Sequence, residues 1–104
     1  LRILLVGVDH KTAPLQIREV VSFSKEQTSL ALPDLQRRIG EAVILSTCNR
    51  TEVYAAAANP EAAAEHIGRF IVGFHGLPRE SIAPHLNTAV DGDVAQHLFR
   101  VASG

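Results

Sequence analysis

The sequence predicts an α+β domain on the ferredoxin-like split βαβ plan: βαββαβ plus a C-terminal helix, with helices packed on one face of an antiparallel sheet. Three observations predict it. Short apolar runs of strand length alternate with longer segments whose apolar residues recur at helical spacing. Two of the runs, residues 42–46 and 52–56, are separated by one short polar stretch, which reads as a hairpin. The chain has 104 residues, 46% of them hydrophobic and 20% charged. That is one ordinary globular domain, long enough to bury roughly 60–70% of the surface its unfolded chain exposes.

Each element has its own signal. Residues 2–8 form an apolar run ending at Gly7-Val8 and predict a buried strand. Asp9-His10-Lys11-Thr12-Ala13-Pro14 is a loop, because it is polar and its proline biases Ala13 away from helix. Ile17, Val20 and Val21 make a short helical stripe. Ser24-Lys25-Glu26-Gln27 matches a capping box, so a second helix starts at Lys25. Pro33 is expected to break that helix or start a new turn, and Gly40 to end it. Ala-Val-Ile-Leu-Ser at 42–46 is the second strand and 52–56 the third, with Thr47-Cys48-Asn49-Arg50-Thr51 between them. Asn59-Pro60 is an N-cap followed by proline at the first helical position. Ala63, Ile67, Phe70, Ile71 and Phe74 then fall on one helical stripe, and Gly76 is placed to close it. Residues 84–90 are expected to be the fourth strand. Asp91 is placed to cap a last helix with Val94, Leu98 and Val101 on one face.

Composition excludes several classes of function. The formal net charge is −1, so no whole-domain attraction to nucleic acid or anionic lipid is expected. No apolar run approaches the ~20 residues of a membrane-spanning helix. A single cysteine excludes an internal disulfide framework and a multi-cysteine zinc site. Leu1-Arg2-Ile3-Leu4-Leu5-Val6 has neither a charged leader nor a cleavage site and is not read as a signal peptide. The chain contains no methionine, and Val101-Ala102-Ser103-Gly104 continues a helical pattern with no tail. The expectation is therefore one domain, residues 1–104, of a longer polypeptide.

The chemically densest stretch is Ser46-Thr47-Cys48-Asn49-Arg50-Thr51-Glu52. A lone cysteine is most often a small buried hydrophobe. Here its neighbours are Thr47, Asn49 and Arg50, which a core would not hold. A thiol at a strand end beside a guanidinium has the electropositive, partly exposed setting of a nucleophile. Arg50 suits a carboxylate, or on the plainer reading a surface salt bridge with Glu52. Thr47 and Asn49 can orient polar atoms. His10 and Lys11 open the first βα loop, and taken alone they read as solvated. An interior first strand would bring that loop toward the hairpin end. His97 flanks the stripe of the last helix, where a histidine either edges the core or points into a site. His66, His75 and His85 have no metal-ligand spacing.

Four segments together resemble the N-terminal catalytic domain of glutamyl-tRNA reductase, and they cover essentially the whole chain. These are Gly7-Val8-Asp9-His10-Lys11-Thr12-Ala13-Pro14, Ile17-Arg18-Glu19, the run from Ile44 through Ser46-Thr47-Cys48-Asn49-Arg50-Thr51-Glu52 to Tyr54, and His97-Leu98-Phe99-Arg100-Val101-Ala102-Ser103-Gly104. One departure is Asp9, where the family usually has asparagine. The resemblance implies reduction of tRNA-bound glutamate to glutamate-1-semialdehyde with NADPH, the entry to tetrapyrrole synthesis from glutamate, in the cytoplasm. It implies that Cys48 attacks the ester and forms a thioester, and that His97 is needed for activity. Thr47, Cys48, Asn49 and Arg50 would line the glutamate pocket, with His10 nearby. NADPH would bind a later domain, because no Gly-x-Gly-x-x-Gly turn occurs in this chain; no metal is implied. The expected partners are glutamyl-tRNA, a second subunit joined through a C-terminal domain, and glutamate-1-semialdehyde aminotransferase for handover of the product.

Two other classes compete with this reading. One is a non-catalytic anion-binding module of the same fold, with Arg50 as clamp and Cys48 as bystander. The other is an RNA-binding domain of this topology. The second is weak, because such domains stack bases on sheet aromatics and this chain has four Phe and one Tyr.

Overall fold

The computed structural model describes residues 1–103; Gly104, the end of the last matching segment, lies outside the described residues. In chain order the elements are β1 (Arg2–Asp9), α1 (Leu15–Val21), α2 (Lys25–Ile39), β2 (Ala42–Ser46), β3 (Arg50–Ala57), α3 (Pro60–His75), a single-turn α4 (Arg79–Ile82) running into a 3-10 turn (Ala83–His85), β4 (Asn87–Val90) and α5 (Gly92–Ser103). The four strands lie in the order β2-β3-β1-β4 with every neighbouring pair antiparallel. This is the split βαβ sheet that the sequence predicts, with β1 in its interior. No helix is long and apolar enough to cross a membrane among the described residues.

Strand alternation divides the side chains between two faces. Leu4, Val6 and Val8 of β1, Val53 and Ala55 of β3 and Ala42 of β2 meet Ala31 and Leu35 of α2 and Ala63, Ile67 and Ile71 of α3 in one core. Leu5, Glu52 and Tyr54 have the opposite parity. The last helix, which the βαββαβ plan leaves over, lies on that second face and sets His97 against Glu52. Leu5 and Val94 are each 1% exposed, yet neither belongs to the main core cluster. They mark a smaller buried layer under α5. The rest of the second face is open, with Ile3, Val43 and Leu45 exposed.

Gly7 stands opposite Glu52 in the register. A Cβ at Gly7 would lie 2.8 Å from the Glu52 Cα and closer still to the Thr51 carbonyl oxygen. Glycine is therefore required where β1 passes β3 beside that carboxylate.

Several local expectations change, among them the start of β3, which takes in Arg50 and Thr51. α2 runs through Pro33 unbroken. The proline ring and the Ser29 carbonyl it leaves without a partner both sit on exposed residues, so water replaces the lost hydrogen bond. The fourth strand spans only Asn87–Val90, because Pro84 enters the 3-10 turn, where its missing N–H costs nothing. Asp91 does precede the last helix, and its carbonyl accepts from Val94 N at 3.0 Å. Its carboxylate, however, turns back to β1 and takes Arg2 Nε at 2.9 Å and Ile3 N at 3.3 Å. The buried stripe of α5 is Val94 and His97, while Leu98 is 46% exposed.

Candidate active site

The pairing of Asp9 with Arg50 ends the β1–β3 ladder and sets the loop after β1 beside the turn between β2 and β3. Local polar groups hold both segments. Asp9 Oδ1 accepts from the backbone N–H groups of Lys11 at 2.9 Å and Thr12 at 3.1 Å, and Asp9 N donates to Thr12 Oγ1 at 3.0 Å. An asparagine would offer the same side-chain oxygen to the same two donors, so the departure at Asp9 preserves the loop. His85 Nδ1 donates to the Thr12 carbonyl at 3.1 Å.

In the turn, Thr47 N donates to the Arg50 carbonyl at 2.8 Å and Asn49 N to Thr47 Oγ1 at 3.2 Å. Arg18, reaching from α1, donates through Nη1 to the Cys48 carbonyl at 3.2 Å. Beneath the turn Ser46 Oγ lies 3.0 Å from Thr51 Oγ1 and accepts from Phe23 N at 2.9 Å. Cys48 is a free, exposed thiol. Thr47 and Asn49 are exposed beside it.

Two residues further along β3 lies a buried ionic cluster. Glu52 is 2% exposed. Its Oε2 lies 2.5 Å from His97 Nε2 and 3.6 Å from Arg50 Nη1, and its Oε1 accepts from the Tyr54 hydroxyl at 2.8 Å. Arg50 Nη1 is in turn 3.5 Å from His97 Nε2. Burial first, then the hydrogen bond to Glu52 and that carboxylate's charge, push the Tyr54 phenol well above its usual range. Three donors converging on one carboxylate offset the cost of removing its charge from water.

Arg50 and His97 line a cavity of about 380 Å³ together with His10, Lys11 and Thr12 of the loop and Arg100 of α5. Cations from three distant parts of a near-neutral chain thus meet at one end of the sheet. The structure brings His10, Arg50 and His97 together in this cavity. Thr47, Cys48 and Asn49 lie outside the lining, on the turn that leads into Arg50 at the start of β3. A second hollow, of about 280 Å³ between α3 and β4, has neither thiol nor imidazole in its wall.

Sequence reasoning missed the part played by Glu52, Tyr54 and Arg18. Beyond its place in the dense polar run, the one role the sequence suggests for Glu52 is a surface partner for Arg50. The available signal was spacing: Arg50, Glu52 and Tyr54 alternate onto one face of a strand, which puts the three side chains in reach of one another. No group of three His, Cys, Asp or Glu side chains is arranged to hold a metal ion among the described residues. Nor do these residues fit a dinucleotide. The loop from β1 to α1 contains no glycine, α1 is only seven residues long, and its N-cap is Pro14 with no side-chain cap.

The model of the family "Glutamyl-tRNAGlu reductase, N-terminal domain" matches residues 6–104. A glutamyl-tRNA reductase of Aromatoleum aromaticum is 45% identical over 106 aligned residues, covering 100% of this chain and 24% of the relative. The glutamyl-tRNA reductase of Thiobacillus denitrificans is 43% identical with the same two coverages, 100% and 24%. That of Bacillus pumilus is 40% identical, over 100% of this chain and 23% of its own length. The chain thus spans about a quarter of the length of the curated relatives it matches.

Proposed function

The chain belongs to the family of glutamyl-tRNA reductase N-terminal domains, and from that premise we propose that residues 1–104 are the glutamate-binding, thioester-forming domain of a longer cytoplasmic reductase. The reaction proposed for the whole protein converts tRNA-bound glutamate to glutamate-1-semialdehyde, the first step of tetrapyrrole synthesis. The observation that carries this reading is the convergence of Arg50, His97 and His10 on one cavity beside the turn that presents Cys48.

In the proposed step the glutamyl side chain enters the cavity, where the guanidinium of Arg50 faces its carboxylate. The Cys48 Sγ attacks the carbonyl carbon of the ester. The bond from that carbon to the ribose oxygen breaks, a thioester forms, and the proton released by the thiol ends on the ribose hydroxyl. Thr47 and Asn49 border the attacking atom and hold the polar groups of the aminoacyl end. His97 acts from the cavity wall. The reduction itself uses NADPH held outside this chain, whose residues do not form its site. Dimerisation through a C-terminal domain and handover to glutamate-1-semialdehyde aminotransferase belong to the same proposal.

The test is to incubate the protein with glutamyl-tRNA in the absence of reductant and to map adducts by mass spectrometry of peptides. A glutamyl mass on the Cys48 peptide, absent in Cys48→Ser, is the expected result. An adduct that persists in Cys48→Ser, or none in the native protein, overturns the mechanism. A Cys48 that iodoacetamide alkylates no faster than free cysteine, together with binding of glutamate, would favour the anion-binding module instead.

A further inference from the structure

We propose that Glu52, itself held by Tyr54, fixes the tautomer of His97: the ring hydrogen sits on Nε2, and Nδ1 is the nitrogen left for the substrate. This rests on the functional reading of His97 above. It makes Glu52 and Tyr54 positioning residues for that histidine.

The argument starts from what a buried carboxylate can do. Ionised, it only accepts hydrogen bonds. Three donors surround Glu52, with the Tyr54 hydroxyl at Oε1 and both Arg50 Nη1 and His97 Nε2 at Oε2. A proton on Oε2 would point among the Arg50 N–H groups, and a proton on Oε1 would meet the tyrosine hydrogen. The ionised form is the one this geometry fits. Two groups compete for Nε2: Arg50 Nη1, a donor only, at 3.5 Å, and Glu52 Oε2, an acceptor, at 2.5 Å. The contact shorter by a full ångström decides, so Nε2 carries the hydrogen and Arg50 serves the carboxylate. In a neutral imidazole the other nitrogen has the lone pair. Nδ1 has no hydrogen-bond partner among the described residues, and the ring lines the cavity. The carboxylate therefore does for His97 what an orienting carboxylate does for metal-bound or catalytic imidazoles elsewhere: it selects one ring nitrogen and one ring orientation. Tyr54 anchors the far oxygen, so the carboxylate cannot rotate away from Nε2. Both residues lie on β3 beside Arg50, and the sheet thereby sets the ring of a residue carried on a different element.

The test is to label the histidine rings of the protein with 15N and read the His97 nitrogens by NMR at a pH where the ring is neutral. Signals are assigned by comparison with His97→Gln. Expected for the native protein is a protonated Nε2 with a bare Nδ1. A hydrogen on Nδ1, or the averaged signals of a freely exchanging ring, overturns the proposal. In Glu52→Gln the amide can donate to Nε2, so the Nδ1–H form should appear; in the longer reductase that carries the NADPH site, the same substitution should lower kcat by about tenfold or more while KM stays within about threefold. Tyr54→Phe should keep the native tautomer and lose kcat severalfold. An unchanged tautomer and an unchanged kcat in Glu52→Gln would also overturn it. If His97→Gln keeps the native kcat although the native ring carries its hydrogen on Nε2, the assignment stands and the catalytic role of His97 falls.

Discussion

Gly7 and Glu52 face each other across β1 and β3 at a separation that admits no side chain on the glycine. Gly7→Ala would force the strands apart where the buried carboxylate sits. It should cost about 1–3 kcal/mol, the usual toll of overpacking a close contact, read as a lower denaturant midpoint with unchanged slope. Activity should fall further than the lost stability explains, because the displaced atoms hold His97 and Arg50. His75 makes a separate case at the end of α3. It packs edge-on against Phe23 and Phe74, and its Nε2 is buried without a partner. Burial holds its imidazole below the usual 6.5. The unfolded chain therefore binds a proton more readily than the folded one. This contribution to stability is complete above the unfolded value and is lost as pH falls through it toward the lowered folded value. Urea midpoints measured between neutral and mildly acidic pH should decline, and His75→Gln should flatten the decline. An equally steep decline in His75→Gln would assign it to other groups.

At the scale of elements, α2 shows what local sequence signals settle. Its capping box is present in both directions, with Ser24 Oγ accepting from Gln27 N at 3.1 Å and Gln27 Oε1 from Ser24 N at 2.9 Å. Ser24→Ala should cost about 1 kcal/mol. Pro33 shows the opposite. Its N–H deficit is local, but whether a helix survives it depends on packing by Ala31 and Leu35 on the buried side, which no local signal reveals. Pro33→Ala should stabilise the protein, by about 1–2 kcal/mol once the freer unfolded chain is counted against the restored helix; thermal unfolding reads this directly, and a lower midpoint would mean that the proline relieves some other strain. The hairpin, the Asn59 cap and the αL close of α3 at Gly76 were legible because each is dictated by neighbours in sequence. The short β4 was not. Residues 84–90 lack the strict alternation that separates a strand from a turn, and the pairing of Asn87–Val90 with β1 decides the boundary.

Over the whole molecule, strand order and the interior place of β1 followed from the spacing of apolar runs. The site was legible only in part. Its turn announces itself by residue type, whereas Glu52 reads as solvent-facing until α5 is laid over the second face of the sheet. That placement joins residues more than forty positions apart and leaves no periodic trace. It also divides the site unequally. Arg50, Glu52 and Tyr54 stand on a strand hydrogen-bonded on both sides. His97 stands on the last helix, where Val94 is the other buried residue, while Leu98 and Phe99 are 46% and 74% exposed. A helix with so little buried apolar surface opens more cheaply than the sheet beneath it. Amide exchange should therefore be faster along α5 than along β1 and β3, and equal protection in the two would contradict this. The site is consequently a hinged structure in energetic terms. A partial opening confined to the last helix would withdraw the imidazole and leave the guanidinium and carboxylate paired, so that the cluster comes apart with the sheet still folded.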